Sequence, residues 1–188
     1  MDAKPAGRII VVVGPSGAGK DSLINHAAAL YRDHPSVRFV RRVITRPADG
    51  ATEDHATMTK EAFTAAAMAG GFVVSWEAHR LFYGIPAETQ AFVRAGGIAV
   101  CNGSRSALPL FSAAFDHLTV VNVTARPEIL AARLEARGRE TRDDILRRLA
   151  RSTMNVDGPF DVITIDNSGA LEEAGARLAQ VIGGCVKG

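Results

Sequence analysis

The stretch IIVVVGPSGAGKDSL, residues 9–23, decides the fold. Its first five residues, Ile9 to Val13, are all aliphatic and β-branched. A strand with one wet face alternates polar and apolar residues, so this run reads as a strand covered on both sides. Gly14-Pro15-Ser16-Gly17-Ala18-Gly19-Lys20 then matches the spacing GxxxxGK, and residues 20–32 carry a helical pattern. Between a buried strand and a helix, such glycines let successive backbone N–H groups turn inward around an anion. The helix adds its positive end, and Lys20 reaches the outer phosphates of a nucleotide. Residues Gly14 to Ser22 are therefore the candidate nucleotide contacts. Leu23, Ala27, Leu30 and Tyr31, spaced by three and four, are expected to form the buried stripe of the helix.

One residue departs from the motif. A hydroxyl normally follows the lysine and ligates Mg²⁺, with an acidic residue at the end of a later strand as its companion. Here Asp21 follows the lysine and Ser22 is displaced by one. The runs at residues 98–101 and 118–123 end in Asn102 and Thr124, so neither supplies a carboxylate. Mg²⁺ takes one or two carboxylates together with waters and phosphates. Asp21, with Ser22 beside it, is thus a candidate metal ligand; the other reading is that Asp21 only complements the helix dipole.

Around this core, short β-branched runs alternate with helical patterns. Strands are expected at residues 9–13, 37–44, 72–76, 98–101, 118–123 and 162–165, and helices at 20–32, 60–69, 86–95, 127–137, 141–154 and 170–182. That alternation predicts an α/β phosphate-loop fold with a parallel sheet between helices. With 188 residues, no repeat and no linker, one domain is expected over residues 1–188. Pro47-Ala48-Asp49-Gly50 is the strongest turn signal.

The bulk properties exclude several classes. Hydrophobic residues make up 47% and charged ones 22%, and the net charge is +2, so neither a nucleic-acid nor a membrane partner is expected. The apolar run at residues 9–13 is too short for a signal peptide or a span, which points to the cytoplasm. Cys101 and Cys185 stand alone and suggest neither zinc nor a disulfide. Asp166-Asn167-Ser168-Gly169 matches the DxxG of a regulatory GTPase, but no NKxD base reader follows it. A non-catalytic scaffold would have no need for Lys20 and a full set of glycines, though it stays open as the reading from another class. A homodimer is open as well.

At Thr45-Arg46-Pro47, Trp76 and Phe82-Tyr83-Gly84 the chain resembles guanylate kinase, of the nucleoside-monophosphate kinase group. That resemblance implies that Arg46 and Tyr83 hold the acceptor's phosphate, for which a guanidinium fork beside a phenol is suited. It also implies an Arg-rich lid at about residues 133–151, closing over an acceptor region at about 37–90. The base readers are missing, however. Arg42 replaces a small hydroxyl residue, Ser75 the guanine-reading glutamate, and Asp49 a second phosphate-binding arginine; Asn102-Gly103-Ser104-Arg105 replaces acidic residues. The loss of a base-reading carboxylate and the gain of arginines point to a baseless, more negative acceptor.

GPSGAGKDSL, RRVITRP, EDH, YGIP, NGSR and RGRE, in that order, resemble the ribose 1,5-bisphosphate phosphokinase family of bacterial phosphonate breakdown. The resemblance implies MgATP as donor and a phosphorylated sugar, ribose 1,5-bisphosphate, as acceptor, giving 5-phosphoribosyl 1-diphosphate and ADP. A guanylate kinase with a remodelled base site, or another small-metabolite kinase, is the alternative. Lys20, Arg46, Arg137 and Arg148 are then the catalytic candidates, and Arg42, Arg46, Tyr83, Asn102, Arg105 and His55 the acceptor candidates. Asn102 and Arg105 follow a strand end, where open α/β sheets bind ligands. The resemblance places adenine contacts at Asn167, for which a helix cap is the competing reading.

Overall fold

The computed structural model describes residues 6–45, 56–136 and 156–187. Five strands form a parallel sheet: β1 (Arg8–Val13), β2 (Val37–Phe39), β7 (Ile98–Asn102), β8 (Leu118–Thr124) and β9 (Asp161–Asp166), in the order β2-β7-β1-β8-β9. All four pairings are parallel. The aliphatic run behaves as expected: Ile9 to Val13 are completely buried, with alternate side chains entering two cores. Ile9, Val11 and Val13 meet Trp76, Phe111 and Phe115 on one face. Ile10 and Val12 meet α1 (Lys20–Leu30) and the last helix, α6 (Leu171–Lys187), on the other.

A second sheet was not anticipated as such. β3 (Val43–Ile44), β4 (Ala56–Thr57), β5 (Phe72–Ala78) and β6 (Leu81–Pro86) form a four-stranded mixed sheet in the order β4-β3-β6-β5. The single strand expected over residues 37–44 is two strands in different sheets. Val37–Phe39 pairs with β7, and Val40 N–H still donates to the Val100 carbonyl, but Val43–Ile44 pairs with β6. After Val40 the segment leaves the parallel sheet: Phe39 packs against the core on the α1 face and Val40 against the core on the Trp76 face, while Val43 and Ile44 are buried where they pair in the second sheet.

Four further helices complete the described fold: α2 (Lys60–Met68), α3 (Glu88–Arg94), α4 (Leu108–Ala114) and α5 (Pro127–Glu135). Thr59 caps α2, accepting from Ala62 N–H. On α1, Leu23 and Ala27 are buried as expected, but Leu30 is 63% exposed. Tyr31 takes the place against α6 instead, with its hydroxyl donating to the Ala179 carbonyl at 2.9 Å. The helix expected at 141–154 and the turn at 47–50 lie outside the described residues. No helix among the described residues is long and apolar enough to cross a membrane.

Candidate active site

The C-terminal ends of β1 and β7 open into a cleft of about 670 Å³, walled on another side by β5 and β6. Its floor is the loop Gly14–Lys20. Gly14 is needed because β8 passes so close that a Cβ there would lie 2.2 Å from the Val123 carbonyl oxygen. Gly19, at φ 87°, is the left-handed residue preceding α1, a conformation costly to any residue with a side chain. Lys20 folds its ammonium onto the carbonyls of Gly14 and Pro15, both at 3.0 Å, which holds it at the mouth of the loop.

The loop is braced from beneath. Asn167, 2% exposed and just past β9, donates from Nδ2 to the Ala18 carbonyl at 2.7 Å. Its backbone N–H is tied to Thr124 and its carbonyl accepts from Arg133 at 2.9 Å. Arg133 also reaches the Gly17 carbonyl at 3.5 Å. With their carbonyls engaged from below, the peptides of residues 17 and 18 are fixed in orientation. The side chain of Asn167 thus goes to the loop, and it does not line the cleft. Nor does it cap α6: the turn before that helix is made by Asp166, which accepts from Ser168 N–H and hydroxyl. Those two bonds hold the Asp166 carboxyl below its ordinary range. Arg133, expected in the lid, packs instead as a half-buried support of the loop.

Asp21 and Ser22, in the first turn of α1, both line the cleft. Asn102 Nδ2 donates to Asp21 Oδ1 at 2.5 Å. Asn102 ends β7, level with Val12, and Gly103 N–H donates to the Val12 carbonyl at 2.9 Å, so this residue is firmly placed. The Asn102 carbonyl in turn accepts from Arg42 at 3.3 Å. The Arg42 guanidinium lies 5.1 Å from the centre of the Tyr83 ring, and that ring stacks on Trp76 at 5.3 Å with an interplanar angle of 8°. Arg42, Tyr83 and Trp76 thus form a continuous layer along the wall. Trp76 is 8% exposed and belongs to the core as much as to the cleft.

Arg105, in a short 3₁₀ turn after β7, lines the same cleft, and partial burial pulls its guanidinium below its ordinary value. Beneath the wall, Cys101 is completely enclosed; burial pushes its thiol up to about 12, with Arg42 offsetting a little. That makes it an inert thiol.

Of the residues singled out from sequence, the cleft gathers Gly14–Gly17, Gly19–Ser22, Arg42, Tyr83, Asn102 and Arg105. Ala18 is buried beneath the loop. Arg46, His55, Arg137 and Arg148 lie outside the described residues. Sequence reading missed Glu77 and His79, both exposed at the cleft. His79 and Arg80 form the tip of the β5–β6 hairpin with φ of 51° and 63°, the backbone of a type I′ turn. Asn-Gly or Asp-Gly would have announced that turn, and His-Arg did not. Among the described residues no group of three or more His, Cys, Asp or Glu gathers as a metal site. The donors present suit Mg²⁺, which needs fewer protein ligands: one carboxylate, one hydroxyl and the buried Oδ1 of Asn102, which has no hydrogen-bond partner among the described residues.

No protein-family model matches the chain. A ribose 1,5-bisphosphate phosphokinase of Agrobacterium fabrum is 55% identical over 174 residues, covering 93% of this chain and 95% of that protein. Another of the same description, from Rhizobium etli, is 52% identical over 178 residues, covering 95% and 90%. Among solved structures, a guanylate kinase from Anaplasma phagocytophilum aligns with a TM-score of 0.67 over 96% of this chain and 87% of that one. Its 20% identity speaks for the fold alone.

Proposed function

Since the chain belongs to the ribose 1,5-bisphosphate phosphokinase family, we propose that its cleft moves the outer phosphoryl group of ATP onto the 1-phosphate of ribose 1,5-bisphosphate. The products are 5-phosphoribosyl 1-diphosphate and ADP. The chain is an enzyme, a kinase whose acceptor already carries phosphate. The observation that carries the acceptor assignment is the gathering of Arg42, Arg105 and Tyr83 in one cleft with the phosphate loop. Two guanidiniums and a phenol there suit a second phosphate better than an uncharged base.

The nucleophile is an oxygen of the acceptor's 1-phosphate. A phosphate's second pKa is about 6, so this oxygen is an anion at neutral pH and needs no general base. It forms a bond to the γ-phosphorus as the bond from that phosphorus to the ADP oxygen breaks. The barrier lies in bringing two anions together, so catalysis is positioning and charge compensation. The N–H groups of the loop cradle the donor phosphates. Lys20 leaves the Gly14 and Pro15 carbonyls to reach them. Asp21 and Ser22 would hold Mg²⁺, which when bound spreads the charge of the transferring group. Arg42 and Tyr83 orient the acceptor, with Asn102 and Arg105 at the same end of the cleft. Arg46, His55, Arg137 and Arg148 keep the acceptor and lid roles that the family resemblance implies. The setting is small-molecule metabolism in the cytoplasm, with no nucleic-acid or membrane partner.

The test is ADP release by the purified protein with MgATP and each of ribose 1,5-bisphosphate, ribose 5-phosphate and GMP. Turnover with the bisphosphate alone is expected. Preference for GMP would overturn the acceptor assignment and demand a guanine site built without a glutamate at position 75.

A further inference from the structure

The two positions at which this chain departs from the ordinary phosphate-loop pattern touch each other. Ordinarily a hydroxyl follows the loop lysine, a carboxylate comes from a neighbouring strand, and the two hold the metal. Here the carboxylate is on the helix, as Asp21, and the strand β7 ends in an amide, Asn102. Asn102 Nδ2 donates to Asp21 Oδ1 at 2.5 Å. The other end of that amide is unusual: Oδ1 is buried, and among the described residues it has no hydrogen-bond partner. Asn102 as a whole is 8% exposed and its backbone is pinned to β1, so the amide is held at the end of β7 beside Asp21, in the lining of the cleft. A buried acceptor without a donor is rare enough to need a reason.

We propose that Asn102 is the positioning residue of an exchanged metal pair. Its amide N–H holds one oxygen of Asp21, leaving the other for the Mg²⁺ that accompanies the nucleotide, and its Oδ1 supplies an acceptor to a water of the ion's shell. This rests on reading the cleft as a Mg-nucleotide site. An amide serves here because of the charge already present. The cleft must hold a nucleotide's phosphates, a doubly phosphorylated acceptor and the Asp21 carboxylate together. A second carboxylate on β7 would add repulsion where an amide gives the same hydrogen-bonding reach without charge. The same residue accepts from Arg42 through its main chain. The guanidinium assigned to the acceptor and the carboxylate assigned to the metal therefore hang from one fixed point.

The experiment measures metal binding directly, as loss of the free Mn²⁺ resonance on titrating protein with Mn²⁺, with and without ADP. Wild type, Asn102→Ala, Asn102→Asp and the double variant Asp21→Asn/Asn102→Asp are compared. Asn102→Ala is expected to weaken Mn²⁺ binding in the presence of ADP by about tenfold or more, the usual loss when a ligand's supporting partner is removed. Asn102→Asp sets two carboxylates against each other. It should bind Mn²⁺ without nucleotide more tightly than wild type, and its melting temperature in EDTA should be lower and recover with Mg²⁺. The double variant should lose both effects. Unchanged Mn²⁺ affinity in Asn102→Ala and Asn102→Asp would overturn the proposal, as would a gain that survives Asp21→Asn. No acceptor enters these measurements, so their failure is distinct from failure of the bisphosphate assignment, which only the ADP-release comparison reads.

Discussion

Replacing Gly19 by alanine tests the brace beneath the phosphate loop. Gly19 has φ 87° and ψ 24°, and an added Cβ would lie 2.4 Å from Asn167 Nδ2. Two costs follow. The left-handed backbone is unfavourable for alanine by about 1–2 kcal/mol, offset by roughly 0.5–1 kcal/mol from a stiffer unfolded chain. Asn167 must also yield. Because it is 2% exposed and bonded to the Ala18 carbonyl at 2.7 Å, moving it breaks a buried hydrogen bond and strands an acceptor. That adds roughly 1–3 kcal/mol. The sum is about 1–4.5 kcal/mol, a drop in melting temperature of roughly 2–18 °C for a chain of this size. Thermal unfolding followed by circular dichroism reads it. The steric part can be isolated in a double-mutant cycle with Asn167→Ala, since Gly19→Ala should cost less once the amide is gone. A coupling energy between positions 19 and 167 below about 0.5 kcal/mol, the ordinary scatter of independent sites, would refute the argument.

The other predictions are briefer. Arg80→Gly should raise the melting temperature by about 1–4 °C, because glycine accepts the φ of 63° that arginine resists; a fall would mean that the arginine side chain stabilises the turn. Arg42→Met should raise the KM for ribose 1,5-bisphosphate by about 10–100-fold, the worth of a lost charged hydrogen bond, with the KM for ATP nearly unchanged. An equal rise in both constants would place Arg42 outside the acceptor site. Cys101 should resist thiol reagents at pH 8 in the native protein and react once it is unfolded. Since burial raises its folded pKa from 9.0 to about 12, the unfolded chain sheds the proton first, so stability falls as pH rises through that window. Denaturant melts should show Cys101→Ala flattening this fall.

The parallel sheet was legible because its central strands β1, β7 and β8 are covered on both faces and its helices are periodic. An unbroken aliphatic run needs no partner to be recognised, as Ile9 to Val13 illustrates. The second sheet was not legible for local reasons. β3 and β4 are two residues each, too short for any period to register. The hairpin turn at His79-Arg80 lacks the glycine or asparagine that its positive φ values invite. No glycine or proline marks the break between β2 and β3, which shows only in the change of pairing partner from β7 to β6. The site divides in the same way. The phosphate loop follows from its spacing, and Arg42, Tyr83, Asn102 and Arg105 followed from comparison with a family pattern. The roles of Arg133 and Asn167 depend on contacts spanning 116 and 149 positions of sequence, which no local signal encodes.

The layer formed by Trp76, Tyr83 and Arg42 has a practical consequence. Trp76 is the only tryptophan of the chain, and it stands one ring away from a guanidinium assigned to the acceptor. Anything that draws Arg42 off the Tyr83 ring changes the electric field at the indole. Its emission is therefore an intrinsic optical gauge of Arg42, and on the function proposed above it reports the arrival of the acceptor. Nucleotides have no tryptophan-like emission of their own, so the order in which the two substrates arrive can be followed on the unlabelled native protein.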